Sequence, residues 1–375
     1  MQNSEVSIDN RRNSGDTAKN TARIHGGNIY QAAKHYGLDC DKIIDFSSNV
    51  NPLGPSSQAK RAAKKALSLV GRYPDPDMAE LRRAIAGYFG IKPEQVICGN
   101  GSNALLHLIP RVFRPRKVLV PVPTFSEYAA AAEAAGSEVV TFPLKERDGF
   151  RMDPVEMAFA LKDVDMVFLC NPNNPTGQII VKAEMLEIMK YALDHGVTLV
   201  VDEAFMDFIE SESIIKETVH TSHIICLRDF AAFFGMPGFR VGYAVSDEAT
   251  IALLREGQEP WSVNIPAGHA VAAALEDWTY IKKTRSLIAR ERERLLSALR
   301  LLPGVETFPC SANFILFKLT SMDAYTLMEK LGVQGMLLRD CSSFPGLGEG
   351  YIRISVRTRR ENNRLIKTLR KLLIK

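Results

Sequence analysis

The sequence predicts an α/β fold, with a large domain built on a mostly parallel sheet and a smaller α+β C-terminal domain after it. Across residues 78–254, helix-period segments alternate with short β-branched runs, among them Lys117-Val118-Leu119-Val120, Met166-Val167-Phe168-Leu169 and Val197-Thr198-Leu199-Val200-Val201. Such alternation marks βαβ units with helices on both faces of a sheet. Beyond the loop around Pro260 and Pro266, a long helical stretch leads to Asn313-Phe314-Ile315-Leu316-Phe317 and then Ile352-Arg353-Ile354-Ser355-Val356, an α+β order. Single cores stop growing at roughly 250–300 residues. The chain has 375, so two unequal lobes are expected.

Taken in order, residues 1–22 are rich in Asn, Ser, Asp and Arg and nearly devoid of apolar side chains. They cannot offset their own ordering entropy and read as a flexible tail. Residues 23–73 carry the polar loops His25-Gly26-Gly27-Asn28 and Asn49-Val50-Asn51-Pro52 around one strand-like run, Ile43-Ile44-Asp45-Phe46, and fit an N-terminal arm. Residues 74–258 make the large domain and residues 259–375 the small one.

Composition narrows the function. Hydrophobic residues at 46% and charged residues at 24% give an ordinary globular balance, and the formal net charge is only +4. Basic clusters at the chain ends lack interleaved aromatics, which argues against nucleic acid. The six cysteines stand far apart with no metal-ligand spacing, so they read as reduced core thiols and no metal is expected. No apolar run approaches the ~18–20 residues of a membrane span, and the N-terminus lacks the apolar stretch of a secretion signal. A cytoplasmic protein is expected.

Three segments carry chemistry. Gly99-Asn100-Gly101-Ser102-Asn103 opens an apolar helical run. It reads either as a turn capped by Ser102 or Asn103, or as backbone N–H groups closing on a phosphate at a helix N-terminus. Asn171-Pro172-Asn173-Asn174-Pro175-Thr176-Gly177 follows a buried strand, and Asp202 ends another. In open α/β sheets ligands collect at these carboxyl ends.

With Pro123-Thr124-Phe125 and Pro237-Gly238-Phe239-Arg240-Val241-Gly242-Tyr243, this motif series resembles that of the fold-type I pyridoxal-phosphate (PLP) enzymes, from about His25 to the C-terminus. The resemblance implies a role for each position. Asp202 pairs with the pyridine nitrogen and keeps the ring an electron sink; Asn174 bonds the ring hydroxyl; Phe125 stacks on the ring. Gly101, Ser102, Asn103 and Arg240 hold the cofactor phosphate, and Tyr73 reaches a partner's phosphate site in a homodimer. Arg353 receives the substrate carboxylate as a fork, although read alone it is a surface strand arginine.

Two branches of that family compete, the threonine-phosphate decarboxylases of cobalamin biosynthesis and the histidinol-phosphate aminotransferases. His25-Gly26-Gly27-Asn28, Asp202-Glu203-Ala204-Phe205, Arg339-Asp340-Cys341 and Arg353–Arg357 are more similar to the decarboxylases. That likeness implies an amino-acid phosphate as substrate and loss of carbon dioxide from threonine phosphate. His25, Asn28 and Arg357 become candidates for gripping it, with a solvated arginine the alternative at Arg357.

The chain departs from the family at the residues that matter most. Before Pro-Gly-x-Arg the family carries hydroxyl, apolar, hydroxyl, lysine; here stand Asp229, Phe230, Ala231 and Ala232, and no lysine lies between Lys216 and Lys282. Ala232 cannot link the cofactor or move a proton at Cα. Ala231 and Asp229 remove hydroxyl donors worth roughly 1.5–3 kcal/mol each to a charged acceptor. Asp229 adds a carboxylate facing a phosphate, a repulsion of a few kcal/mol at an effective dielectric of ~20. The expected outcome is an intact fold with weakened, non-covalent PLP binding and little or no turnover. A disabled variant and a diverged pseudoenzyme both fit, and a non-catalytic binding or assembly protein is the reading from another class.

Overall fold

A computed structural model describes residues 26–374; the tail 1–22 and His25 lie outside them. After the helix Ile29–Tyr36 comes a two-residue strand, β1 (Ile44–Asp45), the one part of the run 43–46 that pairs as a strand. Seven strands then build the main sheet: β2 (Val96–Gly99), β3 (Lys117–Val122), β4 (Glu138–Pro143), β5 (Met166–Cys170), β6 (Thr198–Asp202), β7 (Ile224–Asp229) and β8 (Gly242–Val245). Their order is β2-β8-β7-β6-β5-β3-β4; only β8 runs antiparallel to its neighbours. The expected parallel sheet is therefore present.

The central strands show why the sequence folds this way. Every residue of β5 and β6 is buried, as helices covering both faces require. Alternate residues serve opposite cores: Val200 packs with Val120, Phe168 and Ile225, while Leu199 and Val201 pack with Leu119, Val167 and Ile224. All the parallel strands thus deliver their carboxyl ends to one edge. There Asp202 and Asp229 sit at the last positions of β6 and β7, beside the N-terminus of the helix Ser102–Phe113.

The smaller lobe adds β9 (Val305–Thr307), β10 (Phe314–Leu319), β11 (Met336–Leu337), β12 (Arg339–Asp340) and β13 (Tyr351–Ser355). Four of them form an antiparallel sheet, β12-β13-β10-β9, and β11 pairs in parallel with β1. Phe46, Ile315, Phe317, Ile352 and Ile354 make its core with Leu295 and Leu365 from two helices. One of these, Arg359–Leu373, begins with a capping box: Thr358 and Glu361 exchange side-chain-to-backbone bonds. The helix Ile265–Leu275 follows the expected division at 258–259, yet its Ala267, Ala270 and Val271 pack with Ala59 and Ile85 in a large-lobe core. Among the described residues no helix is long and apolar enough to cross a membrane.

Candidate active site

Between the lobes lies a cleft of about 1040 Å³, lined by Asn49, Ser102, Phe125, Asn174, Asp202, Asp229, Ala232, Arg339 and Arg353 among others. At its floor the Tyr128 hydroxyl donates to Asp202 Oδ2 at 2.7 Å, and the Ala204 amide donates to Oδ1 at 2.9 Å. Tyr128 is itself fixed by stacking on Phe168, with centroids 5.5 Å apart. Burial pushes the Asp202 carboxyl up to about 6, against the pull of those two hydrogen bonds. A carboxylate held dry and short of cations suits a protonated ring nitrogen. Phe125 meets Tyr128 edge-on at 5.7 Å and lines the same wall.

The asparagine run divides its labour. Asn171 clamps the loop through both bonds to the Ile180 backbone, 2.9 Å each. Asn173 does the same by donating to the Pro123 carbonyl and Thr176 Oγ1 and accepting from Thr124 Oγ1. Only Asn174 reaches the cleft, where Oδ1 accepts from Arg353 Nη1. Arg353 Nη2 donates to the Ser47 carbonyl at 2.7 Å, and Nε makes no bond. The guanidinium is thus buried with no carboxylate bonded to it among the described residues, and desolvation lowers it to about 10. Arg339 lies directly across the ladder from it, with its Nη2 donating to Ser343 Oγ at 2.9 Å. Two buried cations on paired strands favour an anionic ligand.

At the opposite end a glycine-lined cradle opens at the N-terminus of the helix Ser102–Phe113. Gly101 holds φ +78 just before the helix Ser102–Phe113, and a Cβ there would fall 2.4 Å from Arg240 Nη2. Gly242 is as constrained: a Cβ on it would lie 2.1 Å from the Ser102 nitrogen. Into this cradle projects Asp229. Its Oδ1 accepts from the Ala231 and Ala232 amides at 2.8 and 3.3 Å, and its Oδ2 makes a long contact of 3.5 Å to Ser102 Oγ. Burial raises the carboxyl above its usual range, opposed by the two amides, Arg240 and Ser102.

Ala232 lies on the cleft wall in a small apolar cluster with Ala204, Phe205, Ala312 and Phe314. Its backbone stays in use, the carbonyl accepting from the Asn51 amide at 2.9 Å. Arg228, one residue before Asp229, points away from the cradle, as strand alternation demands. Fully buried, it bonds Glu203 (2.8 Å), Asp207 (3.1 Å) and Glu210 (2.8 Å). Burial raises the Asp207 carboxyl to about 7.

The sequence-derived candidates Gly101, Ser102, Asn103, Phe125, Asn174, Asp202, Arg240, Ala232 and Arg353 converge on this cleft or its cradle. Others do not line it. Tyr73 is 77% exposed and packs on Trp261 at 4.7 Å. The exposed Asn28 caps its own helix by accepting from the Gln31 amide. Arg357 is held by Glu361 and the Asp45 carbonyl. His25 lies outside the described residues. Sequence reasoning missed Tyr128 as the partner of Asp202 and quoted Arg339 without assigning it to the site. A tyrosine three residues after Phe125 was the available signal for the first.

Fold and cleft define a PLP-enzyme scaffold, and comparison with known proteins places it. Residues 41–369 match the family described as aminotransferase class I and II, and the chain belongs to that family. It is 35% identical over 351 residues to the threonine-phosphate decarboxylase of Salmonella typhimurium, covering 93% of this chain and 96% of that one. It is also 35% identical over 333 residues to histidinol-phosphate aminotransferase 2 of Archaeoglobus fulgidus, covering 88% and 93%. The solved L-threonine-O-3-phosphate decarboxylase from Porphyromonas gingivalis superposes with a TM-score of 0.79 at 28% identity, over 88% of this chain and 99% of that chain. The family resemblance implies PLP as cofactor. The residues present fit it at the ring end, through Asp202, Asn174 and Phe125. They do not fit it at the other end, where Ala232 offers no amine and Asp229 fills part of the phosphate cradle.

Proposed function

We propose that this chain is a lysine-less member of the threonine-phosphate decarboxylase branch, one that takes an amino-acid phosphate into the cleft and turns it over slowly or not at all. The observation that carries the reading is Arg353, buried, bonded among the described residues only to Asn174 and the Ser47 carbonyl, and paired across the ladder with Arg339. A guanidinium desolvated without a counter-ion is held ready for a carboxylate or phosphate, with charge-assisted bonds about twice as strong as neutral ones. Loss of catalysis follows from Ala232, whose methyl group supplies neither nucleophile nor base. PLP, if taken up, is held non-covalently and weakly.

The decarboxylase branch is favoured over the aminotransferase branch by the motifs around Arg339 and Arg353. Tyr73, exposed and outside its own cleft, supports a homodimer in which it serves the neighbouring site. Isothermal titration with L-threonine O-3-phosphate, L-threonine and histidinol phosphate tests the assignment. Threonine phosphate should bind at least about tenfold more tightly than threonine and than histidinol phosphate, with no carbon dioxide released. Preferential binding of histidinol phosphate would move the chain to the aminotransferase branch, and rapid carbon dioxide release would overturn the loss of catalysis.

A further inference from the structure

The cleft has two ends that carry cationic groups, and they are not equivalent. At one end Arg339 and Arg353 face the cavity from the small lobe. At the other, Gly101 and the N-terminus of the twelve-residue helix Ser102–Phe113 form a cradle against Arg240. That cradle already contains an acid. Asp229 receives the Ala231 and Ala232 amides on one oxygen and points the other at Ser102 Oγ.

We propose that Asp229 is a built-in anion that takes the place of the cofactor phosphate, so that the cradle end rejects phosphate esters and accepts an uncharged group. Three contacts support this. The two amide bonds satisfy one oxygen of the carboxylate and hold it in place. The other lies 3.5 Å from the Ser102 hydroxyl, at a helix N-terminus and within the electrostatic reach of Arg240, which are the elements that would otherwise neutralise a phosphate. A second anion there would face a carboxylate it cannot displace, because Asp229 is covalently part of β7. At an effective dielectric of ~20, unit charges ~4 Å apart repel by ~4 kcal/mol. The cleft would thus sort ligands by end: phosphate or carboxylate at the arginines, no phosphate at the cradle. The arginine half of that statement rests on the function proposed above; the cradle half stands alone.

Pyridoxamine 5′-phosphate and pyridoxamine separate the two, since they differ only in the phosphate and neither condenses with surface lysines. Equilibrium dialysis of the full chain should show the two bound within about threefold of each other, or neither bound. Asp229→Asn, which keeps the shape and removes the charge, should raise affinity for the phosphate ester at least tenfold and leave pyridoxamine unchanged. Asp229→Ser should raise it at least as much. Threonine phosphate, titrated in parallel, should bind the parent and both variants equally. The proposal is overturned if the parent already binds the phosphate ester tenfold more tightly than pyridoxamine, or if neither variant changes that ratio. Loss of threonine-phosphate binding alone would sink the functional assignment and leave Asp229 as argued.

Discussion

Tyr128 and Asp202, 74 residues apart, share a buried hydrogen bond of 2.7 Å beneath the cleft. It compensates only part of the cost of drying the carboxylate, whose pKa stands near 6 rather than 3.8.

That cost makes stability depend on pH. A carboxyl whose folded pKa is raised binds more protons folded than unfolded, so its contribution to stability is full below about pH 4 and is lost as pH rises through 6. The penalty above pH 6 is ~3 kcal/mol at most, from 1.36 kcal/mol per pKa unit. Asp202→Asn should therefore unfold at a higher temperature than the parent at pH 8, with the gain absent at pH 4. One hydrogen bond lost at the new amide takes back ~1 kcal/mol. A parent chain as stable as the variant at pH 8 would contradict the assignment.

Arg353→Lys should cost threonine-phosphate binding by at least about 30-fold. The guanidinium donates through separate nitrogens to Asn174 and the Ser47 carbonyl, and an ammonium on a flexible stem lacks the fork that keeps a planar face toward the ligand. Titration calorimetry reads the loss directly. Unchanged affinity would shift the ligand away from β13.

A lysine at position 232 should not by itself suffice for PLP chemistry. In Ala232→Lys the new amine shares the cleft with Asp202 and Asp229, both of which favour its protonated, unreactive form. Ala232→Lys alone should give little PLP adduct after borohydride treatment and little carbon dioxide release. With Ala231→Thr and Asp229→Ser added, both should rise by about tenfold or more, a non-additive gain for residues sharing one site. Mass spectrometry locates the adduct. Equal yields at saturating PLP would remove Asp229 from the account.

Arg228→Met should destabilise the chain by roughly 3–5 kcal/mol, the usual outcome when one member of a buried ionic cluster is deleted and its partners stay charged. Here Glu203 and Asp207 would be left in the interior without their cation. Chemical denaturation followed by near-ultraviolet dichroism measures the change. Because Arg228 holds the Asp207 carboxyl down, its loss should let Asp207 take up a proton more readily, and part of the stability should return as pH is lowered from the alkaline side.

The sequence carried the parallel sheet because β5 and β6 are unbroken apolar runs, and that signal needs no knowledge of neighbours. It carried Asp202 and Asn174 because each ends or follows such a run. Arg339 escaped assignment for a different reason. Its relation to Arg353 is a register across an antiparallel ladder, fixed by packing in the small lobe and not by spacing along the chain. Tyr128 was missed likewise, since nothing local ties a helix residue to the end of a strand two positions over in the sheet. Asn28 and Arg357, chosen by motif, have side chains that also serve the local structure as a helix cap and an ion pair.

The backbone of Ala232 is stitched to Asn51 and Asp229, while its side chain contributes one methyl group to an apolar cluster. Folding and chemistry are therefore written on different atoms of the same residue. Cellular quality control surveys exposed apolar surface and frayed structure, and it finds neither there. An alanine at this position therefore leaves nothing on the surface to mark the chain, whatever its chemistry.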